Sequence, residues 1–297
     1  MTVLETRGLG KRYRHRWALT DCTLNIPAGH VVGLVGPNGA GKTTLLSLAT
    51  GLLAPTAGTI EVLGKPPASS PAHLARVGFV AQDPPAYAGL SVADHLRFGA
   101  HLNPSWDATV ARDRIGRIGL DLGQRAGKLS GGQRAQLALT LAIAKRPDLL
   151  ILDEPIASLD PLARREFLQG LMEFTASHEV SVIMSSHLMA DLERVCDYLI
   201  VLVGSQVRMA GEVEDLLSTH RLLTGPRRDP ATYPADWQIL TASHTDRQTT
   251  LLVRTTSAIH DPAWAVDEVG LEDLVLAYMR QVPNGAPRPA PIEEVQR

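Results

Sequence analysis

The sequence predicts an α/β fold in which a phosphate-binding loop and an acidic pair stand at one end of a parallel β-sheet. Two observations lead to this prediction. An apolar run at residues 31–35 is followed by Gly-Pro-Asn-Gly-Ala-Gly-Lys-Thr-Thr at residues 36–44 and then by a helix-forming segment. A second apolar run, at residues 149–152, ends directly in Asp153 and Glu154. Because ligands bind at the carboxyl ends of parallel strands, both runs indicate a site for a phosphorylated ligand.

The glycine-rich run fits the pattern G-x-x-x-x-G-K-[ST] in the strand, loop and helix context that this pattern requires. Gly36, Gly39 and Gly41 let the backbone turn tightly, so that successive N–H groups and the helix N-terminus face the phosphates. Lys42 is expected to reach the β- and γ-phosphates of a nucleotide, and the Thr43 hydroxyl to bind Mg²⁺. A bare glycine-rich turn is the plainer interpretation, but such a turn does not require Lys42 and Thr43 after its last glycine.

The two acidic residues are predicted to do different work. Asp153 stands at the end of its strand, where a carboxylate can hold Mg²⁺ directly or through water. Glu154 comes next and points elsewhere, so it is well placed to polarise an attacking water. Two solvated acids at a strand end are the alternative, which the nearby phosphate-binding loop makes less favourable.

A second anion site is predicted at Leu-Ser-Gly-Gly-Gln, residues 129–133. Ser130 is a good helix N-cap, and the two glycines after it leave backbone N–H groups bare at a helix start. With this run, the sequence resembles the nucleotide-binding subunit of ATP-binding cassette (ABC) transporters over about residues 2–218. The resemblance implies that the run binds the γ-phosphate of an ATP held by the opposite subunit of a dimer.

Four further positions match this family residue by residue. Tyr13 stands where the family stacks an aromatic ring on adenine, and Gln82 matches the glutamine that contacts Mg²⁺ and the lytic water. Asp160 ends the loop that crosses the dimer interface, and His187 matches the switch histidine on the γ-phosphate. Ala157 is a departure, because many members have glycine before that loop; we expect little consequence.

The site that the motifs and the resemblance imply has three groups of residues. The catalytic residues are Glu154, His187 and Gln82. The Mg²⁺ ligands are Thr43, Gln82 and Asp153. The residues that contact ATP are Tyr13, Gly36, Pro37, Asn38, Gly39, Ala40, Gly41, Lys42, Thr43, Thr44, Ser130, Gly131, Gly132, Gln133 and Asp160.

Two alternatives concern the start of the chain. Trp17 is a rival to Tyr13 for the adenine ring. The basic residues at positions 11–16, with their interleaved aromatic, also raise nucleic-acid binding. We favour a solvated loop near the nucleotide, because short charge runs are usually exposed. The chain carries 29 basic and 31 acidic residues and only 4% aromatic residues, so no nucleic-acid partner is expected.

The predicted fold is a P-loop NTPase of ABC type with an antiparallel β subdomain and an inserted helical subdomain, plus a small C-terminal α+β appendage. The ABC ATPase domain is predicted at residues 2–224, with its helical subdomain at about 83–146. A turn-rich break at residues 225–230 precedes the appendage, residues 231–282. The appendage should contain two strands and a helix at 271–280 with a buried apolar face. The proline-rich tail, residues 283–297, is predicted to be disordered.

Several features indicate the compartment. Cys22 and Cys196 are isolated, which fits a reducing environment. The first residues contain no apolar signal region, and no apolar run approaches the ~18–20 residues that span a bilayer. We therefore expect a cytoplasmic protein, held at the cytoplasmic face of the membrane by a separate integral membrane permease.

The expected function is that of a transporter motor which dimerises around two ATP, with itself or with a related subunit, to drive that permease. Residues 160–165 and 270–279 look like the drug- and antibiotic-export branch of bacterial ABC ATPases, which implies an exporter of drugs, antibiotics or lipids. The alternative is a non-transport ABC ATPase of DNA repair, chromosome organisation or translation. Such proteins usually carry coiled coils, zinc modules or a second cassette, which this sequence lacks. A regulatory module without hydrolysis is the third hypothesis, against which Glu154 and His187 argue.

Overall fold

A computed structural model of the chain describes residues 1–280, which form a six-stranded sheet and two smaller antiparallel sheets. The strands are β1 Thr2–Tyr13, β2 Arg16–Pro27, β3 Val31–Val35, β4 Ala57–Val62, β5 Val77–Val80, β6 Leu149–Leu152, β7 Ser181–Ser185, β8 Tyr198–Val203, β9 Gln206–Glu212, β10 His220–Pro226, β11 Gln238–His244, β12 Gln248–Arg254 and β13 Ala265–Asp267. The α-helices are α1 Lys42–Ala49, α2 Pro71–Ala75, α3 Val92–Leu102, α4 Ala108–Arg117, α5 Gly131–Ala144, α6 Pro161–Ser177, α7 Met189–Leu192, α8 Val213–Ser218 and α9 Leu271–Arg280.

The large sheet has the order β5-β6-β7-β3-β8-β9. Its first five strands are parallel, and β9 returns beside β8 as an antiparallel hairpin partner. Strands β3, β6, β7 and β8 are buried along their whole length, as is typical of parallel strands covered on both faces. Because alternate residues point to opposite faces, one hydrophobic cluster packs the sheet against α1 and the antiparallel strands, and another packs it against α5, α6 and α9.

The antiparallel subdomain is a sheet of order β2-β1-β4. The hairpin between β1 and β2 turns at Arg14 and His15, so Tyr13 pairs directly with Arg16. Arg14 has a φ of 51°, the left-handed conformation that tight hairpin turns often require. This hairpin brings Tyr13 to the tip of the sheet, beside the phosphate-binding loop.

The inserted helical subdomain contains α3, α4 and α5, which all lie within the predicted range of residues 83–146. Ser91 begins α3 and Ser130 begins α5, each through a capping box in which the serine accepts a backbone N–H and the third helical residue accepts the serine's own N–H. Asp160 likewise caps α6, with Pro161 as its first residue, and α6 ends at Ser177. These three helix starts were predictable because their signals are local.

The C-terminal unit begins earlier than predicted. Strand β10 pairs with β12 along its whole length and with β13 at three positions, in a sheet of order β11-β12-β10-β13. Residues 220–224 therefore belong to the appendage sheet rather than to the ATPase domain, and Gly225 and Pro226 end a strand rather than form a linker. Gly225 is required here because a Cβ at this position would lie 2.6 Å from the Trp264 ring. A glycine that makes room for a tryptophan resembles, in the sequence, a glycine that makes a turn.

Helix α9 lies at the predicted residues and joins the appendage to the large sheet. Its apolar face, formed by Leu271, Leu274, Val275 and Tyr278, is buried and belongs to the hydrophobic cluster that contains α6. The predicted disordered tail at 283–297 and the last two residues predicted for the appendage lie outside the described residues. Within residues 1–280, none of the helices has both the length and the apolar character needed to cross a bilayer.

Candidate functional site

The sheet order brings the predicted site residues to one edge. Strand β3 leads into the phosphate-binding loop, β5 into Gln82, β6 into Asp153 and Glu154, and β7 into His187. These four strands are parallel and adjacent in the order β5-β6-β7-β3. Their carboxyl ends therefore meet, and side chains that are far apart in the sequence line one cavity.

The loop at residues 36–44 turns so tightly that two of its positions accept no side chain. Gly36 has a φ of 156°, and a Cβ there would lie 2.2 Å from the Leu202 carbonyl oxygen. Gly41 has a φ of 109°, and a Cβ there would lie 2.4 Å from the Ala18 carbonyl oxygen. Helix α1 starts directly after Gly41, so the loop delivers the N-terminus of this helix to the cavity.

Lys42 is held across the loop. Its Nζ donates to the Gly36 carbonyl oxygen at 2.8 Å and lies 3.4 Å from Oε1 of Glu154. The two side chains of this ion pair are only 6% and 13% exposed. The ammonium group therefore lies where the loop and the end of β6 meet, within reach of an anion bound by the loop.

The backbone at Glu154 is strained and is anchored by a serine that sequence reasoning did not identify. Glu154 has a φ of 44°, which is rare for a residue with a side chain. Its N–H donates to Oγ of Ser185 at 2.8 Å, and the same hydroxyl donates to Oδ1 of Asp153 at 2.8 Å. Ser185 thus ties both acids of β6 to the end of β7. A polar residue that ends an otherwise apolar strand was the sequence signal for it.

His187 lies directly beside Glu154. Its Nδ1 is 3.1 Å from Oε2 of Glu154, and the imidazole is about half exposed on the cavity side. The Glu154 carboxylate therefore contacts Lys42 through one oxygen and His187 through the other. This arrangement directs a carboxylate, an imidazole and an ammonium group toward the same space.

The β1–β2 hairpin closes the cavity from the other side. Tyr13 lines the cavity, together with its cross-strand partner Arg16. Trp17, the rival aromatic, pairs instead with Arg12, whose guanidinium carbon lies 5.4 Å from the tryptophan ring centroid. Because successive residues of a strand point to opposite faces, Tyr13 and Trp17 are separated, and only Tyr13 reaches the cavity.

The cavity has a volume of about 760 Å³, which suits a small-molecule ligand of nucleotide size. Its lining includes most of the predicted loop and the residues that end β5, β6 and β7. The lining residues are Tyr13, Arg16, Ala18, Asn38, Gly39, Ala40, Gly41, Lys42, Thr43, Thr44, Gln82, Glu154, Ala157 and His187. Gly36, Pro37 and Asp153 do not line this cavity: Asp153 is buried, and Gly36 and the exposed Pro37 line a neighbouring cavity. Arg16 and Ala18 were not predicted, although the two-residue turn after Tyr13 could have placed Arg16 opposite it.

The second predicted anion site is not part of this cavity. Ser130, Gly132, Gln133 and Asp160 line a separate pocket of about 190 Å³ between α5 and α6. Oγ of Ser130 accepts from the Gln133 N–H at 3.2 Å, and the Gln133 side chain accepts from the Ser130 N–H at 2.9 Å. The start of α5 is therefore held by a capping box, with Ser130 and Gly131 exposed, and it does not line the cavity of its own chain.

Comparisons with known proteins fit this geometry. A family model described as "ABC transporter" matches residues 19–157. The chain is 33% identical over 220 residues to the uncharacterized ABC transporter ATP-binding protein YxlF of Bacillus subtilis, covering 72% of each chain. It is 35% identical over 224 residues to the Nod factor export ATP-binding protein I of Cupriavidus pinatubonensis, covering 73% of this chain and 68% of that protein.

Other similar proteins are named for the opposite direction of transport. The chain is 32% identical over 203 residues to the thiamine import ATP-binding protein ThiQ of Salmonella choleraesuis, covering 66% of this chain and 86% of that protein. Among solved structures, an ATP-binding subunit of an ABC transporter superposes with a TM-score of 0.65 at 28% identity, covering 72% of this chain and 92% of that one.

Proposed function

The chain belongs to the ABC transporter family of ATP-binding proteins and is an ATPase of that family, and we propose that it is the motor subunit which drives a separate membrane permease. The observation that carries the proposal is the single cavity in which the phosphate-binding loop, Gln82, Glu154 and His187 meet. A module that only binds nucleotide does not need an acid and an imidazole aimed at the same position.

ATP occupies this cavity with its phosphates on the loop and its base on the hairpin. Unpaired backbone N–H groups of the loop and the N-terminus of α1 surround the phosphates, and Lys42 reaches the β- and γ-phosphates. Tyr13, which is 46% exposed, offers its ring to the adenine. The loop and the hairpin both line the cavity, so one nucleotide can contact both of them.

The oxygen atoms near the loop fit Mg²⁺. Thr43 offers a hydroxyl, Gln82 an amide oxygen and Asp153 a carboxylate, and magnesium prefers hard oxygen ligands of this kind. Thr43 and Gln82 line the cavity, and the buried Asp153 accepts a hydrogen bond from the Ser185 hydroxyl. A bound Mg²⁺ would supply positive charge that offsets the charge developing on the β- and γ-phosphates.

Hydrolysis is assigned to Glu154 and His187. The Glu154 carboxylate accepts a proton from, or orients, the water that attacks the γ-phosphate, and Gln82 contacts that water and the metal. His187 holds the Glu154 carboxylate through Nδ1 and contacts the γ-phosphate. The backbone anchor at Ser185 keeps the Glu154 side chain on the cavity side of the strand end.

The complete site is composite. Ser130, Gly131, Gly132 and Gln133 do not line the cavity of their own chain, so we propose that they bind the γ-phosphate held by a second subunit. Asp160 lines the same pocket as Ser130, which supports its assignment to the proposed interface between the two subunits. Two such subunits, identical or related, enclose two ATP, and closure of this dimer is the motion that moves the permease.

The docking surface for the permease is an exposed apolar patch on the helical subdomain, formed by Tyr87, Leu90, Phe98 and Leu102. These side chains are 36–63% exposed. The Tyr87 and Phe98 rings meet edge to face at 6.0 Å, and Leu102 follows Phe98 by one helical turn. A clustered apolar patch of this kind marks an interaction site. The patch begins five residues after Gln82, which lines the nucleotide cavity, so we expect docking there to be coupled to the nucleotide. A subunit docked in this way sits at the cytoplasmic face of the membrane.

We propose export as the direction of transport, with drugs, antibiotics or lipids as the substrate class. The support is the resemblance of residues 160–165 and 270–279 to the export branch. The similar proteins include both export and import subunits, so the direction rests on that resemblance.

The test is co-expression with the membrane protein encoded beside this gene. Wild-type protein should co-purify with it, and Phe98→Asp should abolish co-purification while the isolated subunit keeps its ATPase activity. Leu74→Asp is the matched control, because Leu74 is 48% exposed on α2, outside the helical subdomain. Accumulation of labelled substrate in inverted vesicles, dependent on ATP, then establishes export. Uptake in the opposite orientation contradicts export, and an ATPase that binds no adjacent membrane protein contradicts the transporter assignment.

A further inference from the structure

We propose that Arg16 binds the phosphate groups of ATP, acting with Tyr13 as the two halves of one clamp on the β1–β2 hairpin. The inference rests on the proposed function, since it requires that a nucleotide occupies the cavity. From the sequence, positions 11–16 are expected to share one solvated loop. In the structure, only Tyr13 and Arg16 of these positions line the cavity.

The register of the hairpin places Arg16 on the cavity side. Tyr13 and Arg16 are directly paired residues on adjacent strands, and such pairs project from the same face of a sheet. Both line the cavity. A guanidinium nitrogen of Arg16 lies 3.9 Å from the position that a Cβ at Gly39 would occupy. The Arg16 side chain therefore lies over the phosphate-binding loop rather than in open solvent.

Two other cations of this basic run, Lys11 and Arg12, have partners outside the cavity. Nζ of Lys11 donates to the Ala54 carbonyl oxygen at 2.8 Å and lies 5.5 Å from the centroid of the Tyr13 ring. Arg12 lies over Trp17 on the opposite face of the hairpin. Arg16, by contrast, has no carboxylate oxygen within 4.0 Å anywhere in residues 1–280. Its charge is free for a ligand of the cavity.

The charges that line the cavity make this free cation important. Lys42 and Glu154 form an ion pair at 3.4 Å, so their charges offset one another. Arg16 then supplies the net positive charge of the lining near neutral pH. A triphosphate carries several negative charges, and a guanidinium group binds phosphate oxygens through two parallel N–H donors. We infer that Arg16 increases affinity for phosphorylated nucleotides without contacting the base.

The test measures Kd for ATP, ADP and adenosine in EDTA, which prevents hydrolysis during the titration. Arg16→Gln should weaken ATP and ADP about five- to twentyfold and leave adenosine unchanged. The loss should shrink at high salt, because a pair at the rim of the cavity is screened. Arg16→Lys should recover part of the affinity. Arg14→Gln is the matched control, since Arg14 lies in the same run at the hairpin turn and does not line the cavity.

Three outcomes overturn the inference. ATP affinity of Arg16→Gln equal to that of wild type means that Arg16 makes no phosphate contact. Equal losses for ATP and adenosine mean that the substitution acts through the hairpin fold. An equal loss in Arg14→Gln means that the effect is one of net charge. Lys42→Ala, titrated in parallel, distinguishes failure of the proposed function from failure of the role assigned to Arg16. If wild type binds ATP, Lys42→Ala does not, and Arg16→Gln does so normally, the proposed function stands and only the role of Arg16 falls.

Discussion

The Lys42 ammonium nitrogen lies 3.4 Å from Oε1 of Glu154, and this pair joins the phosphate-binding loop to the end of strand β6. Both side chains are mostly buried, so the attraction between them is screened less than that of a surface pair. A γ-phosphate that reaches Lys42 competes with Glu154 for it. We therefore expect ATP binding to free the Glu154 carboxylate for a water molecule.

Glu154→Gln should separate ATP binding from hydrolysis. The amide keeps the shape of the side chain but has no negative charge, so it neither takes a proton from water nor competes with phosphate for Lys42. We expect the turnover rate to fall by about 10²-fold or more, because positioning and general base action are lost. ATP affinity should be kept or increased. Phosphate release and equilibrium titration measure the two quantities.

Glu179→Gln is the control for this substitution, since Glu179 is an exposed acid just before the opposite end of β7. Its turnover should match that of wild type. Turnover of Glu154→Gln close to that of wild type would refute the assignment of the catalytic base, whatever the binding data show.

Ser185→Ala should slow hydrolysis without preventing ATP binding. The substitution removes the acceptor for the Glu154 N–H and the donor to Asp153, and the buried groups left unpaired cost about 1–3 kcal/mol of the free energy of unfolding. Because Glu154 has a φ of 44°, loss of this anchor lets its backbone relax away from the cavity. We expect kcat to fall much more than Kd for ATP changes.

Ser181→Ala distinguishes positioning from mere stability. Ser181 is also buried on β7, but its hydroxyl accepts from the Gly29 N–H at 2.9 Å at the other end of the strand. This variant should lose similar stability in urea and keep its kcat. If both serine variants lose the same fraction of kcat, Ser185 has no special connection to Glu154.

Local signals explain most of what could be predicted. The capping boxes at Ser91 and Ser130 and the N-cap at Asp160 each lie within four residues of the helix that they start, and α9 has a clear helical period. The phosphate-binding loop is a contiguous motif. The edge position of Gln82, Asp153 and His187 was predictable once their strands were identified as parallel.

The features that were missed depend on contacts between distant segments. Strand β10 exists because it pairs with β12 and β13, and its own residues include Gly225 and Pro226, which locally indicate a turn. Strand β13 has three exposed residues and no alternation to detect. Arg16 and Ser185 gain their importance from a hairpin register and a neighbouring strand, respectively, which a linear motif does not contain.

The start of α5 should act on a neighbouring subunit. Ser130 lies in a pocket separate from the nucleotide cavity of its own chain, and its capping box holds the helix N-terminus open to solvent. Ser130→Arg should block that surface, and Lys42→Ala should prevent the cavity from binding ATP. Each variant alone should be inactive, and a mixture should recover ATPase activity, because a mixed dimer retains one intact composite site.

The matched control is to mix each variant with more of itself at the same total concentration, which should recover nothing. Activity of the mixture equal to the average of the two separate variants at every concentration would contradict action between subunits. Gel filtration with ATP present checks that dimers form at all.

The contact between His220 and Tyr278 should make attachment of the appendage sensitive to acid. His220 is buried. Its Nδ1 lies 2.6 Å from the Leu216 carbonyl oxygen and therefore donates to it. Its Nε2 then accepts from the Tyr278 hydroxyl at 3.1 Å. Burial lowers the pKa of His220 below its ordinary value, and the nearby charges of Arg254 and Arg221 lower it further. The hydrogen bond to Leu216 raises the pKa but does not offset these effects. A proton on Nε2 would remove the acceptor for Tyr278.

The sign of the pH dependence follows from that lowered pKa. Well above pH 6.5, which is the ordinary pKa of histidine, His220 is neutral in both the folded and the unfolded chain and contributes no pH dependence. As the pH falls below that value, the unfolded chain takes up a proton that the folded chain resists, so the free energy of unfolding decreases. The slope for one such group is at most about 1.4 kcal/mol per pH unit. Wild type should therefore lose stability between pH 7.5 and 5.5 through this group.

His220→Gln should flatten this loss, since glutamine does not titrate. Urea unfolding followed by tryptophan fluorescence measures it, because two of the four tryptophans, Trp237 and Trp264, lie in the appendage. His101→Gln is the matched control, as His101 is exposed at the end of α3, and it should keep the pH dependence of wild type. If His220→Gln and wild type lose the same free energy of unfolding from pH 7.5 to 5.5, another group is responsible, and the buried histidine only fills space between β10 and α9.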